Sequence, residues 1–369
     1  MNRREFLLRS GAAASLGLWT RGMLGQPPPE NLGPGSGGPH AQPLLTEKVR
    51  QPVQPPTLVT EFRHLRRNVG WFTGRGGTIG WLASPAALVA VDTQFPDTAA
   101  LFLKGLPGRG DRGFDAVINT HHHADHTSGN GILKPVTKTI VAQANVPGLM
   151  QAAAKRTPGS AEPTLPTETF PDSWRQDIGD ETIAARYFRA AHTSGDIVVH
   201  FEKANVVHLG DLVFNRLYPV IDRSAGGRFQ SWLTTLEDIL KNYPAEAVYL
   251  FGHGKQSFGI AGGHDDIRAY RDYVSALLDY VGRQIKAGRT KDEITKLENF
   301  PGFPDLHVPP GPGNRLAGNL GAAFLNSRAA DRPNPLQQWR TNSPMNRSTL
   351  RPETWASISR CRPWILCVS

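Results

Sequence analysis

The sequence predicts an α+β domain, and three observations predict it. Short apolar runs bounded by turn residues open the body of the chain, two later stretches repeat their apolar residues at helical spacing, and one strand empties directly into a string of histidines. The strand patterns begin at Leu58 and read as an opening meander: Phe62-Arg63-His64-Leu65, Val69-Gly70-Trp71-Phe72, Thr78-Ile79-Gly80-Trp81-Leu82 and Ala87-Leu88-Val89-Ala90-Val91. Gly74-Arg75-Gly76-Gly77 supplies the turn between the second and third runs. Asp97 to Leu106 reads as a helix with Asp97 near its cap. Arg228 to Asn242 and His264 to Ala287 carry the other helical patterns. No internal repeat at the short periods of solenoids is evident.

The histidine string holds the chemistry. Phe114-Asp115-Ala116-Val117-Ile118-Asn119-Thr120 runs into His121-His122-His123-Ala124-Asp125-His126. In an extended segment alternate side chains share a face, so His121 and His123 can grip one metal ion while His122 points away. Asp125 and His126 then offer an oxygen and a nitrogen to a second ion. Imidazoles with a carboxylate suit a borderline ion such as zinc. Further donors stand where later strands should end. Arg186 to Ala191 leads to His192, Val206 to Leu209 leads through Gly210 to Asp211, and Val248 to Phe251 leads to His253 between two glycines. A lone His or Asp at a strand end is usually structural. Three of them in this order after H-x-H-x-D-H form a ligand set.

The order of these motifs resembles the metallo-β-lactamase superfamily, and Thr120 to Asn130, THHHADHTSGN, is especially similar to its glyoxalase II-like branch. The resemblance covers roughly residues 58 to 260. It implies a four-layer αββα sandwich with the site along one edge of the paired sheets. By motif match, His121, His123 and His192 would bind the first of two divalent ions, Asp125, His126 and His253 the second, and Asp211 would bridge them. Zinc is the expected metal, with iron and manganese as alternatives. Two cations about 3.5–4 Å apart can share a water and lower its pKa towards ~7. Asp125 and Asp211 are the residues given a catalytic part, and Asp125 would orient the nucleophile. Departures narrow the branch. Position 211 is Asp rather than the Cys of thiolate-containing relatives, and no Cys precedes Cys361, so a zinc–thiolate site is excluded. Position 123 is His rather than the Glu of di-iron flavoprotein relatives, which disfavours oxygen or nitric oxide reduction.

Charge argues against nucleic acid as partner. The net charge is +9, but residues 1–25 hold four Arg against one Glu, and residues 326–369 hold seven Arg against one Asp and one Glu. The body between is near neutral and lacks a phosphate-binding excess. A small-molecule substrate is expected. The chain opens Arg3-Arg4-Glu5-Phe6-Leu7, with a short apolar run from Gly11 to Trp19. This resembles a twin-arginine export signal, making the twin-arginine export machinery a partner and the periplasm the destination. The run is too short to span a bilayer stably. The expected division is a signal segment at 1–25, a Pro/Gly-rich linker at 26–57, the catalytic domain at 58–325, and a disordered or aberrant tail at 326–369, with a partner-binding tail as the rival reading.

Three residues are candidates for the substrate pocket: Trp71 before the Gly-rich hairpin, and Asn215 and Tyr218 after the expected bridging Asp. Each also has a bland reading in core packing or turn capping. His208 reads as a core residue or a support for the ligands. Gly210 to Pro219, with Ile221-Asp222 and Gly226-Gly227, resembles exported glyoxylase-like hydrolases. The expected function is an exported metal-dependent hydrolase using a metal-bound hydroxide on a small carbonyl substrate: thioester, ester, lactone or amide. The alternatives are a phosphodiesterase or nuclease of the same fold, a β-lactamase, and a non-catalytic accessory protein of a periplasmic oxidation system.

Overall fold

The computed structural model describes residues 58–330 apart from 158, 160 and 308–313. The expected signal segment, the linker and most of the expected tail lie outside the described residues. One compact unit of the described residues runs to Asn326.

The first sheet holds seven strands in sequence order: β1 (Glu61–Arg66), β2 (Val69–Thr73), β3 (Ile79–Ser84), β4 (Ala87–Val91), β5 (Phe114–Ile118), β6 (Thr137–Gln143) and β7 (Glu168–Phe170). The meander β1 to β4 is antiparallel, and β4 to β7 pair in parallel. Parallel pairing needs crossovers. The β4–β5 crossover carries α1 (Pro96–Gly105), the next carries the short α2 (Ala124–Thr127) and α3 (Asn130–Leu133), and the last carries α4 (Val146–Arg156).

The second sheet contains β8 (Ser173–Ile178), β9 (Glu181–Tyr187), β10 (Ile197–Phe201), β11 (Val206–His208), β13 (Val248–Leu250) and β15 (Ala261–Gly262). A small pair, β12 (Phe214–Asn215) and β14 (His253–Gly254), stands apart. Helices α5 (Phe229–Asn242), α6 (His264–Lys286), α7 (Lys291–Ile294) and α8 (Arg315–Ala330) complete the described chain. Helix α8 runs through the domain limit expected at 325.

Strand alternation creates the layers. In β4, Val89 and Val91 enter a core that also holds Ile183, Ile197 and Val199 of the second sheet. The intervening Leu88 and Ala90 face the other way, into a cluster with Ala99 and Phe102 of α1. In β10, Val199 joins the inter-sheet core, while Val198 packs with Trp232, Leu236, Ile267 and Leu277 of α5 and α6. Period-two strands with both faces apolar must be covered twice, and the result is an αββα sandwich. Each large side chain fully buried there contributes about 1.5–3 kcal/mol.

The layering also fixes the site. Strands β11 and β13 are parallel, with His208 opposite Leu250. Asp211 and His253 each follow three residues beyond that pair, so both arrive at the same rim. The expected strand into the histidine string is shorter than its apolar run suggests. β5 ends at Ile118, and residues 120–122 bend before α2 begins. The physical reason is a competing partner: Thr120 donates its backbone N–H to Asp92 Oδ1 at 2.7 Å and leaves the ladder. His121 and His122 therefore lie in a bend, and His123 keeps extended dihedrals. β9 likewise stops at Tyr187, and a loop carries the chain on to His192.

Candidate metal centre

The bend and the first turn of α2 gather the donors. His126 and Thr127 donate their backbone N–H groups to His123 O, so Asp125 and His126 share one helical turn. His121 Nε2 then lies 3.1 Å from His123 Nδ1, and His192 Nε2 lies 2.9 Å from the same atom. Together with Asp211 these residues form one group compact enough to hold a metal ion. Asp125, His126 and His253 form a second such group. His253 Nε2 lies 3.1 Å from Asp125 Oδ2 and 3.4 Å from His126 Nε2. His122 turns to the far side, where its Nε2 is 3.6 Å from Asp222 Oδ2. His122, His123 and Asp222 make a third compact group.

Asp211 stands between the first two groups. Its Oδ2 is 3.5 Å from His192 Nε2 and 3.9 Å from His121 Nε2. Its Oδ1 is 3.1 Å from His126 Nε2 and 3.5 Å from His253 Nε2. Each carboxylate oxygen thus serves one group. Oδ1 is buried and has no hydrogen-bond partner. A buried carboxylate oxygen left in that state is costly, and a cation is the natural partner for it. The residues present therefore fit divalent metal ions.

The backbone is shaped around this carboxylate. Gly252 donates its N–H to Gly210 O, and a Cβ at position 252 would overlap Asp211 Oδ1. At Gly77 a Cβ would overlap the His126 ring. Gly77 donates to Asp125 O at 3.0 Å, so the hairpin between β2 and β3 lies against the second group. His208 is buried and accepts from Gly210 N at 3.1 Å while its Nε2 donates to Thr78 O at 3.2 Å. It supports the turn that presents Asp211 and is held neutral by burial.

Electrostatics divide the groups. Burial, reinforced by neighbouring imidazoles, holds His121 well below the usual histidine range and His192 at about 3. Both are neutral donors, the form a metal needs. Burial would also lower His126 and His253, but the carboxylates outweigh it. Asp211, Asp125 and Asp92 raise His126 well above its ordinary value, and Asp211 and Asp125 raise His253 to about 9. Burial would raise the carboxyls of Asp125 and Asp211, yet His126 and His253 hold both well below the usual carboxylate range.

Several supporting residues carry no ligand signature in the sequence. Asp92, fully buried, binds His126 Nδ1 and Thr120. Asp196 accepts from Thr193 N and Thr193 Oγ1, both at 2.7 Å. Burial lifts its carboxyl to about 6 against those bonds. Asp222 Oδ2 lies 3.1 Å from His123 Nε2. The three pocket candidates are all buried. Trp71 is in the inter-sheet core with the Arg63 guanidinium over its ring, because β2 turns it inward with Val69. Tyr218 is buried against Tyr273, and its hydroxyl accepts from Phe300 N at 3.2 Å. Asn215 is buried and its Nδ2 donates to Gly259 O at 3.1 Å, tying down the loop after His253. Packing and loop pinning are the contacts these three residues make within the chain.

Comparison with known proteins agrees with this architecture. Residues 73–253, which include all seven expected ligands, match the metallo-beta-lactamase superfamily. Among solved structures, the stereoselective inverting sec-alkylsulfatase Pisa1 from Pseudomonas sp. aligns with a TM-score of 0.55 at 16% identity, over 75% of this chain and 52% of that one. A double mutant of that sulfatase aligns at 0.55 and 15%, with the same coverage. The chain thus spans about half the length of the sulfatase. A metallo-beta-lactamase from Pontibacter korlensis aligns at 0.47 and 16%, over 59% of this chain and 99% of that one. At these identities the likeness to the two sulfatase structures is one of fold. Among the described residues no helix is long and apolar enough to cross a membrane.

Proposed function

We propose that the chain is a metal-dependent hydrolase of a small carbonyl substrate: a thioester, ester, lactone or amide. The observation that carries this reading is Asp211, which turns Oδ2 to His121 and His192 and Oδ1 to His126 and His253. His121, His123 and His192 would hold one divalent cation, Asp125, His126 and His253 a second, and Asp211 both. Zinc suits the nitrogen-rich donors best. Such a pair supplies Lewis acidity for a carbonyl oxygen and a water acidified towards neutral pH. The chain's own contribution is orientation. Asp211 is buried and committed to the ligands, whereas the Asp125 side chain is 31% exposed. Asp125 is therefore the carboxylate we assign to orienting an attacking water.

The near-neutral body supports a substrate without a polyanionic tail. The THHHADHTSGN string supports the thioesterase-like branch. The Arg3-Arg4 pair and the short apolar run after it support export by the twin-arginine route to the periplasm. The deciding experiment is metal analysis coupled to a hydrolysis screen of thioesters, lactones, a β-lactam, a secondary alkyl sulfate and a phosphodiester. Two metal equivalents with fastest turnover on a thioester, ester or lactone support the reading. Absence of metal uptake, or a sulfate or phosphodiester cleaved fastest, overturns it.

A further inference from the structure

Three imidazoles face one another in the first group, and each has its outer nitrogen engaged differently. His121 Nδ1 meets Thr120 Oγ1 at 3.1 Å. That hydroxyl gives its proton to Asp92 Oδ2, so it accepts from His121. His192 Nδ1 meets the backbone carbonyl of Val220 at 2.8 Å, which can only accept. His123 Nε2 meets a carboxylate, Asp222 Oδ2, at 3.1 Å. A carboxylate also only accepts, so His123 carries its proton on Nε2 and presents the Nδ1 lone pair inward. Val220 and Asp222 belong to one loop. That loop is laced to the His192 segment, because Asp222 N donates to His192 O at 3.1 Å and Ser194 N donates to Ala225 O at 2.8 Å.

We propose that Asp222 is the positioning residue of the three-histidine site, fixing the tautomer of His123 so that Nδ1 is the metal donor. The inference rests on the reading that His121, His123 and His192 hold a divalent cation. Asp222 is itself held rigidly. Its Oδ1 accepts from Ser224 Oγ at 2.6 Å and from Ala225 N at 3.0 Å, which leaves Oδ2 for His123. His122 Nε2 stands 3.6 Å from the same Oδ2, beyond hydrogen-bond range. The loop 220–222 therefore sets two of the three donors, one through a carbonyl and one through a charge. The charged partner also strengthens His123 as a donor, as carboxylates behind metal-binding imidazoles do.

Asp222→Asn separates this role from simple scaffolding. Its amide can satisfy one side only. With the oxygen on Ala225 N, an NH2 group faces His123 and demands the wrong tautomer; flipped, the NH2 group meets the Ala225 N–H. Zinc titration of the metal-free protein against a chromophoric chelator should give two equivalents in the wild type. In Asp222→Asn one equivalent should weaken about 10- to 100-fold while the other is unchanged. With cobalt in place of zinc, the visible bands of the weakened site should shift in Asp222→Asn and stay in Ser224→Ala, which keeps Oδ2. Nitrogen-15 spectra of the zinc-loaded wild type, which need no variant to fold, should show His123 protonated at Nε2. If the wild type binds no metal, the functional reading itself falls. If it binds two equivalents and Asp222→Asn binds them equally well, this inference alone falls. A His123 proton on Nδ1, or a third equivalent in the wild type lost in Asp222→Asn, also overturns it, the last by making Asp222 a ligand.

Discussion

His126 Nδ1 lies 2.7 Å from Asp92 Oδ2, and both side chains are fully buried. Asp92 follows β4 with φ of 65°, a left-handed conformation that aspartate tolerates better than most residues. The same carboxylate accepts from Thr120 N and Thr120 Oγ1, both at 2.7 Å. One side chain thus ties the end of β4 to the end of β5 and aims His126 Nε2 at Asp211. Replacing it with Ala strands three donors. Asp92→Ala should lower stability by about 3 kcal/mol or more and weaken metal binding at the Asp125–His126–His253 group about 10- to 100-fold. Denaturant unfolding and metal titration check the two parts. Unchanged metal affinity would refute the role given to the contact.

The clustered donors were legible in the sequence while their supports were not, and the reason is physical. His121, His123, Asp125 and His126 are close in sequence, and His192, Asp211 and His253 each follow an apolar run. Asp92 looks like any aspartate ending a strand, and Asp222 sits about a hundred residues from His123; only the tertiary fold brings them together. The layers were legible because β4 and β10 print a period of two and α5 and α6 a helical period. Depth was not. Trp71 and Tyr218 are aromatic residues near the motifs, a description that fits pocket walls and core equally well. Their burial depends on partners such as Tyr273 that pattern alone does not supply.

Gly252→Ala should break the bridge. The added methyl group would overlap Asp211 Oδ1, and Gly210 is too close for the backbone to yield. We expect loss of at least one metal equivalent, measured by elemental analysis after gel filtration. Gly282→Ala is the control: a Cβ there meets nothing within 4 Å inside α6. It should raise stability by about 0.5–1 kcal/mol and leave metal content alone. Full metal retention by Gly252→Ala would show that Asp211 has more room than its neighbours suggest.

Asp196 predicts a pH dependence. Its carboxyl is raised from 3.8 to about 6 in the folded protein, chiefly by burial. The native state therefore binds this proton more tightly than the unfolded chain does. Its contribution to stability falls as pH rises from about 4 to about 6, and the loss is complete above that. Asp196→Asn removes the titration and keeps one acceptor for Thr193. Relative to wild type, the metal-free variant should gain about 3 kcal/mol between pH 4 and 7. Unfolding curves across that range test this, and a difference that does not change with pH would disprove it.

Export is testable without the substrate. Arg3→Lys combined with Arg4→Lys keeps the charge but removes the paired guanidinium groups, which two ammonium groups do not replace. The double variant should accumulate in the cytoplasm. Fractionation showing normal export would move the signal to the general secretion route.

The final prediction concerns which atom attacks. An acyl-enzyme needs a nucleophilic side chain at the cluster. Two hydroxyls flanking it are already committed: Thr120 Oγ1 donates to Asp92 Oδ2, and Thr193 Oγ1 donates to Asp196 Oδ1. Both residues are almost fully buried. The partly exposed group is the Asp125 carboxylate, and its Oδ2 is held by His253 Nε2 at 3.1 Å, which suits orienting a water better than attacking a carbonyl. The oxygen of water should therefore enter the product directly. A single turnover of a thioester or lactone in oxygen-18 water should place one label in the released carboxylate and none in the protein. Mass spectrometry of the quenched enzyme should find no adduct. Asp125→Asn keeps the shape but removes the charge that orients the water, so turnover should drop by about 10²- to 10⁴-fold. Label recovered in Asp125 would convict that carboxylate as the nucleophile and overturn direct attack by water.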